Sequence, residues 1–237
     1  MELQGKTVLV TGAGKRVGRA LALALARRGA NIVVHYHSSA AEARQRVAEI
    51  RRLGVTATAV RADQTKARQV RAAVAKAGKI DVLVASAAVY RRTPFATLTE
   101  ADWDFHLNAN LKGPFLWALE AGRQMRTGKI VLFADWAAYR PYRHYLPYLV
   151  SKAGVIGLTK ALAKELAPGV QVNAIAPGPV LLPENFTCAE AVRQATLVKR
   201  LGSPQDVVHA VLYLIEGGDF VTGHVLVVDG GRLIAGE

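Results

Sequence analysis

Short apolar runs, each followed by a stretch with helical spacing, recur along the whole chain and restrict it to one class of fold. Lys6–Thr11, Asn31–Tyr36, Thr56–Arg61, Val82–Ala85, Ile130–Ala134, Val170–Ile175 and Val225–Val228 read as strands. Between them, Val17–Arg28, Ala41–Leu53, Lys66–Ala77, Glu100–Arg126, Tyr148–Leu166 and Pro204–Ile215 read as helices, the fourth interrupted near Gly113-Pro114. Several strands are apolar throughout instead of alternating, the mark of strands buried on both faces. The expectation is an α/β fold of the Rossmann type: a doubly wound, mostly parallel sheet of about seven strands with helices on both faces and ligands at the strands' carboxyl ends. No repeat, linker or low-complexity stretch divides residues 1–237, so one domain is expected. The less regular segment 179–199, with Pro179 and Pro183 after a strand, suggests a mobile substrate lid.

A chain of 237 residues can bury a core without metal or disulfide, and no metal site is expected. Cys188 is the single cysteine, which excludes an internal disulfide and suits a reducing, cytoplasmic setting. The N-terminus lacks the charged and apolar regions of a signal peptide, and no apolar run reaches membrane-spanning length. The formal net charge of +13 raises the question of nucleic acid. The basic residues are dispersed over amphipathic stretches, however, as in Arg44, Arg46, Arg51 and Arg52, so a solvated face is the expectation and nucleic acid is not an expected partner. The charge would still help capture an anionic cofactor.

The run Thr11-Gly12-Ala13-Gly14-Lys15-Arg16-Val17-Gly18 joins the first strand to the first helix. Glycines there let backbone approach a pyrophosphate, and the helix start offers free amides; a plain tight turn has the same appearance. Lys15 and Arg16 sit where the helix dipole disfavours cations, which makes sense if a further anion binds nearby. The second strand ends in His35-Tyr36-His37-Ser38-Ser39, without the acidic residue that would hold the ribose hydroxyls of NAD. Imidazole, hydroxyls and cations suit a 2′-phosphate, which favours NADPH, although ordinary strand-end polarity would look alike. Asp63, after the third strand, suits either an adenine amino group or a simple cap.

Tyr148 and Lys152 lie four apart on one helix face. A free tyrosine, with a pKa of about 10, is a poor proton donor near neutrality. A nearby ammonium and an oxidised nicotinamide would lower it.

These features together resemble the short-chain dehydrogenase/reductase family, end to end. The resemblance rests on the Thr11–Gly18 loop, Asp63, Asn110-Leu111-Lys112-Gly113-Pro114-Phe115, Tyr148-x-x-x-Lys152, Pro177-Gly178, Val221-Thr222-Gly223 and Val228-Asp229-Gly230-Gly231. It implies that Asn110 holds a proton-relay water and that Lys152 grips the nicotinamide ribose. It also implies that Pro177 and Gly178 line the nicotinamide pocket, and that Gly12, Val17, Gly18, Gln64, Ser86 and Ala87 touch the cofactor. A homotetramer is implied too. The chain departs from the family at three places. Arg16 replaces the third loop glycine, Ala85-Ser86-Ala87-Ala88 replaces the usual Asn-Asn-Ala-Gly, and Asp135 stands 13 residues before the tyrosine, where the family has a catalytic serine.

Arg16, the His35–Ala43 stretch, Asp135, Ile175–Val180 and Leu182-Pro183-Glu184 resemble the pteridine reductase branch. That implies a catalytic aspartate beside Tyr148 and Lys152, an aromatic stacking residue at Tyr90, and an Arg16 that reaches both cofactor phosphate and substrate. Ser38 stands where some members have arginine. Physically, a carboxylate near Tyr148 raises the phenol's pKa, which hinders carbonyl reduction but serves a substrate with ring N–H groups. Trp136 could add flat apolar surface. The expected activity is NADPH-dependent reduction of a dihydropterin or related pteridine. The alternatives are a 3-oxoacyl or general carbonyl reductase of the same family, and a non-catalytic, basic NADPH sensor.

Overall fold

The computed structural model describes residues 1–182 and 188–235. Its strands are β1 (Thr7–Val10), β2 (Asn31–Tyr36), β3 (Ala57–Arg61), β4 (Val82–Ala85), β5 (Gly128–Phe133), β6 (Val170–Pro177) and β7 (Val225–Val228). They form one seven-stranded sheet in the order β3-β2-β1-β4-β5-β6-β7, with every neighbouring pair parallel. The helices are α1 (Arg16–Arg27), α2 (Ala40–Arg51), α3 (Ala67–Ala77), α4 (Glu100–Leu107), α5 (Gly113–Gly122), α6 (Leu146–Leu166), α7 (Ala189–Gln194) and α8 (Pro204–Leu212).

The central strands β1 and β4 are apolar and buried because both sheet faces are covered there, while the edge strand β3 leaves Thr58 and Arg61 exposed. Val8 and Val10 pack with Leu21 and Leu25 of α1 and Val207 and Val211 of α8. Leu9, between them, faces the other layer with Trp117 of α5 and Val155 of α6. Alternate residues of one strand thus feed two cores, the arrangement expected of a doubly wound sheet. Strand order reverses between β1 and β4, so their carboxyl ends diverge and open a crevice there.

The long helix expected over Glu100–Arg126 is divided into α4, a π-turn at Asn108–Lys112, and α5. The expected break at Gly113-Pro114 falls just after the wide turn. Pro114 has no N–H to donate to the carbonyl of Asn110, four residues back, which loosens the ladder at that point. Segment 179–199 holds a short helix, α7, which its irregular sequence did not announce. Residues 183–187 of the expected lid, Pro183 and Glu184 among them, lie outside the described residues.

Candidate active site

The turn from β1 into α1 is a close-packed loop. Gly12 has φ +67°, and a Cβ there would stand 3.2 Å from the Cα and Cβ of Ala87. A Cβ on Gly18 would stand 2.3 Å from the Gly12 carbonyl oxygen, so the start of α1 and the loop touch backbone to backbone. α1 has neither a side-chain cap nor an acidic residue in its first turn. Its leading amides are therefore left for an anion. Val17 packs against the core beneath the loop. Arg16 has φ +50°, unusual for a residue with a side chain, and its guanidinium donates to the Leu181 carbonyl at 2.7 Å. It thus ties the loop to the segment after β6. Lys15, expected beside an anion, is paired with Glu42 of α2 at 2.6 Å.

The missing asparagines after β4 are replaced by another brace. The Ser86 hydroxyl donates to the Thr11 carbonyl at 2.6 Å, and the Ala87 amide donates to the Thr11 hydroxyl at 2.9 Å. Gln64 donates to the carbonyls of Ala87 at 3.2 Å and Ala109 at 2.8 Å. Between these parts lies a cavity of about 530 Å³ lined by Gly12, His37, Asp63, Gln64, Lys66, Ala87 and Lys112 among others. Asp63 caps the next turn through the amide and hydroxyl of Thr65 and also borders the cavity, so both readings of it have a basis. Burial pushes its carboxyl up, but the Thr65 hydrogen bonds and the nearby His37 and Lys66 outweigh that and leave it lowered. Ser38 and Ser39 follow β2 at the entry to α2, and Ser39 makes no side-chain cap. The cavity at the strand reversal, the close glycine approach and the uncapped helix start together fit a phosphate-bearing dinucleotide.

Across the sheet, α6 begins at Leu146 with Pro147, which puts Tyr148 in its first turn and Lys152 one turn later. Asp135 follows β5, and its Oδ1 caps the short turn Trp136–Ala138 through the Ala137 amide at 2.9 Å. The Tyr148 hydroxyl donates to Asp135 Oδ2 at 2.5 Å. Burial pushes the Tyr148 phenol well above its ordinary value, and Asp135 pushes it further. Burial also raises the Asp135 carboxyl, against the opposing hydrogen bonds and the Lys152 charge. The expected lowering of the tyrosine by lysine is not what this geometry produces. Lys152 Nζ donates to the Phe133 carbonyl at 2.7 Å and lies 5.8 Å from the Tyr148 ring centroid. Desolvation lowers Lys152 to about 8, offset in part by Asp135.

Asn110 sits in the π-turn, fully buried, and exchanges two hydrogen bonds with the Val89 backbone at 2.8 and 2.9 Å. Its amide anchors the strand-end segment that leads to Tyr90. Tyr90 stacks on Tyr145 at 4.6 Å, meets the edge of Tyr148 at 4.8 Å and shares a hydroxyl contact with Tyr142 at 3.3 Å. Trp136 lies 6.1 Å from the Tyr142 ring, with the Arg232 guanidinium 4.9 Å from its own. Tyr142 and Tyr145 were not singled out from sequence, although the even spacing Tyr142, Tyr145, Tyr148 was visible. Pro177 ends β6, and a Cβ on Gly178 would stand 2.6 Å from the Asp229 Cα. Among the described residues no group of three or more His, Cys, Asp or Glu is arranged to hold a metal, and no helix is long and apolar enough to cross a membrane.

Residues 12–232 match the family model described as "Enoyl-(Acyl carrier protein) reductase". The 3-oxoacyl-[acyl-carrier-protein] reductase FabG of Staphylococcus aureus is 34% identical over 239 residues, covering 95% of this chain and 97% of that protein. The 3-oxoacyl-[acyl-carrier-protein] reductase of Synechocystis is 36% identical over 244 residues, covering 98% of each. A short chain dehydrogenase from Burkholderia cenocepacia, solved in complex with NADP, superimposes with a TM-score of 0.93 at 34% identity, covering 98% of this chain and 99% of the other. A blue fluorescent protein from a metagenomic library, solved with NADPH, gives a TM-score of 0.93 at 31% identity, with coverage of 98% and 99%. The family match, the full-length relatives and the superimposed fold show that the chain belongs to the short-chain dehydrogenase/reductase family of oxidoreductases.

Proposed function

We propose that this protein is an NADP(H)-dependent reductase of a C=N bond in a dihydropterin-like ring. The observation that carries the reading is the Tyr148–Asp135 hydrogen bond at 2.5 Å, a buried phenol and carboxyl where the family's usual partner is a serine. The cofactor supplies the hydride when bound. The loop Gly12–Gly18, with Asp63, Gln64 and Ala87, would hold it along the crevice, and Lys152, Pro177 and Gly178 would border its reactive end. Tyr148 delivers a proton to the ring nitrogen. Asp135, pushed up by burial, can hold a proton and return it to Tyr148 across the same bond. Tyr90, with an exposed ring beside Tyr148, offers a stacking face, and Arg16 ties the phosphate loop to the Leu181 carbonyl of the segment after β6. Asn110 would act through the Val89 segment and a relay water. Cytoplasmic residence and a homotetramer belong to the same reading, on the family resemblance.

A second reading, reduction of a 3-oxoacyl thioester, is favoured by the names of the relatives, which support it better than they support a pterin. The two readings share cofactor and Tyr148 and differ in what Asp135 is for. To separate them, the protein is incubated with NADPH deuterated at the transferred position of the nicotinamide, a dihydropterin and a 3-oxoacyl thioester, and the products are examined by mass spectrometry. A tetrahydropterin carrying one deuteron supports the first reading. Unlabelled, unreduced pterin beside a labelled 3-hydroxyacyl product establishes the second.

A further inference from the structure

We propose that His35 is a positioning residue for the cofactor, holding the phosphate loop through the Gly12 amide. The proposal rests on the NADP(H) reading of the crevice and not on the identity of the substrate.

His35 is the penultimate residue of β2, paired in register with Val60 of β3, and its side chain is buried. Both ring nitrogens are engaged. Nδ1 accepts the Gly12 amide at 3.3 Å, and Nε2 lies 3.0 Å from the Ala62 carbonyl. An amide only donates and a carbonyl only accepts, so these partners fix one neutral tautomer, bare at Nδ1 and protonated at Nε2. The main chain of the same residue adds a third tie, since its carbonyl accepts the Ala13 amide at 3.2 Å. Trp117 packs against the ring at 4.7 Å and 59°, which holds its plane.

The two anchored points, Gly12 and Ala62, both line the cavity. Gly12 opens the loop whose following residues lead into the uncapped start of α1. Ala62 immediately precedes Asp63 and Gln64, and all of these border the same space. The Ala62 carbonyl fixes the tautomer that leaves Nδ1 bare, and the Gly12 tie then holds the first of the phosphate-facing amides in place. Leucine at 35 would fill the space but leave the Gly12 amide and the Ala62 carbonyl without that partner. Asparagine carries its oxygen on Cγ, where the ring carries Nδ1, and so gives up the Ala62 contact but keeps the Gly12 tie that the proposal rests on. Glutamine places its oxygen one carbon further out and does not.

The test is NADPH binding, read by fluorescence titration, together with steady-state kinetics of the intact protein. His35→Leu and His35→Gln are expected to weaken NADPH about tenfold, the usual order for losing one buried hydrogen bond. Turnover at saturating NADPH and the KM of the other substrate should stay within about twofold. His35→Asn should bind NADPH within about threefold of the parent. A purely structural role would lower the melting temperature of all three variants without this ordering. Parent-like NADPH binding by His35→Gln, or equal weakening in His35→Asn and His35→Gln, overturns the proposal. If His35→Leu does not fold, the Asn–Gln contrast decides alone. Failure of the parent protein to bind NADPH overturns the cofactor reading and this proposal with it.

Discussion

Replacing Asp135 with asparagine removes one buried charge while leaving its backbone contact in place. In the parent, Oδ1 accepts the Ala137 amide at 2.9 Å and Oδ2 accepts the Tyr148 hydroxyl at 2.5 Å. Asparagine keeps the first contact and cannot hold or return a proton across the second. A buried hydrogen bond to a charged group contributes about 1.5–3 kcal/mol. Where that contribution is made as the proton moves, it appears in kcat as a loss of about 10- to 150-fold. The pH profile carries a second signature. Burial raises the Asp135 carboxyl, so the pair keeps its shared proton to higher pH than a free carboxyl would, and pterin reduction should fall as pH rises through that loss. In Asp135→Asn this limb disappears and a lower, flatter rate remains. The assay is NADPH consumption with a dihydropterin across pH, beside a simple ketone. Asp135→Ser, the family's usual residue, should lose pterin activity and keep or improve ketone reduction. Parent-like kcat on the pterin with an unchanged profile in either variant would refute the reasoning.

Further perturbations follow from the same geometry. Lys152 is lowered to about 8 by desolvation, so between pH 8 and its ordinary 10.5 the unfolded chain holds a proton that the folded one has lost. Stability should therefore rise with pH across that window, and Lys152→Met should flatten the rise in a chemical-denaturation series. His35, lowered to about 4 mainly by burial and further by His37, should make the fold lose about 3 kcal/mol as pH falls from 6.5 to 4, a loss that His35→Asn removes. Gly18→Ala forces a Cβ to within 2.3 Å of the Gly12 oxygen and should cost about 2 kcal/mol in urea unfolding, with weaker NADPH binding. Arg16→Gly removes a side chain held at φ +50° and should stabilise the loop by about 1 kcal/mol. Breaking the tie to Leu181 should meanwhile raise the substrate KM.

The centre of the sheet was legible because strands such as β1 and β4 are buried on both faces and read as short continuous apolar runs. Asn31–Tyr36, Val82–Ala85 and Val225–Val228 have the same bounds in sequence and structure. Less was legible where partners come from distant segments. Nothing in Ala85-Ser86-Ala87-Ala88 announces a brace to Thr11, 75 residues earlier, because the contact exists only once β1 and β4 are neighbours. Lys15 and Arg16 read as an anion site by helix-dipole logic, yet Glu42 and the Leu181 carbonyl take them up locally. Asp135 was visible as a departure from the family pattern, and its hydroxyl partner followed from that pattern. The direction of the Tyr148 shift was divided in the sequence between a lysine that lowers and a carboxylate that raises. Burial decides it, together with Lys152 being held by the Phe133 carbonyl.

The most direct test of the whole account is kcat/KM for a dihydropterin and for a 3-oxoacyl thioester, measured with NADPH on one preparation of the protein. A site built on a proton-sharing phenol and carboxyl predicts the larger value for the dihydropterin. A larger value for the thioester, with the dihydropterin unreduced, would contradict it.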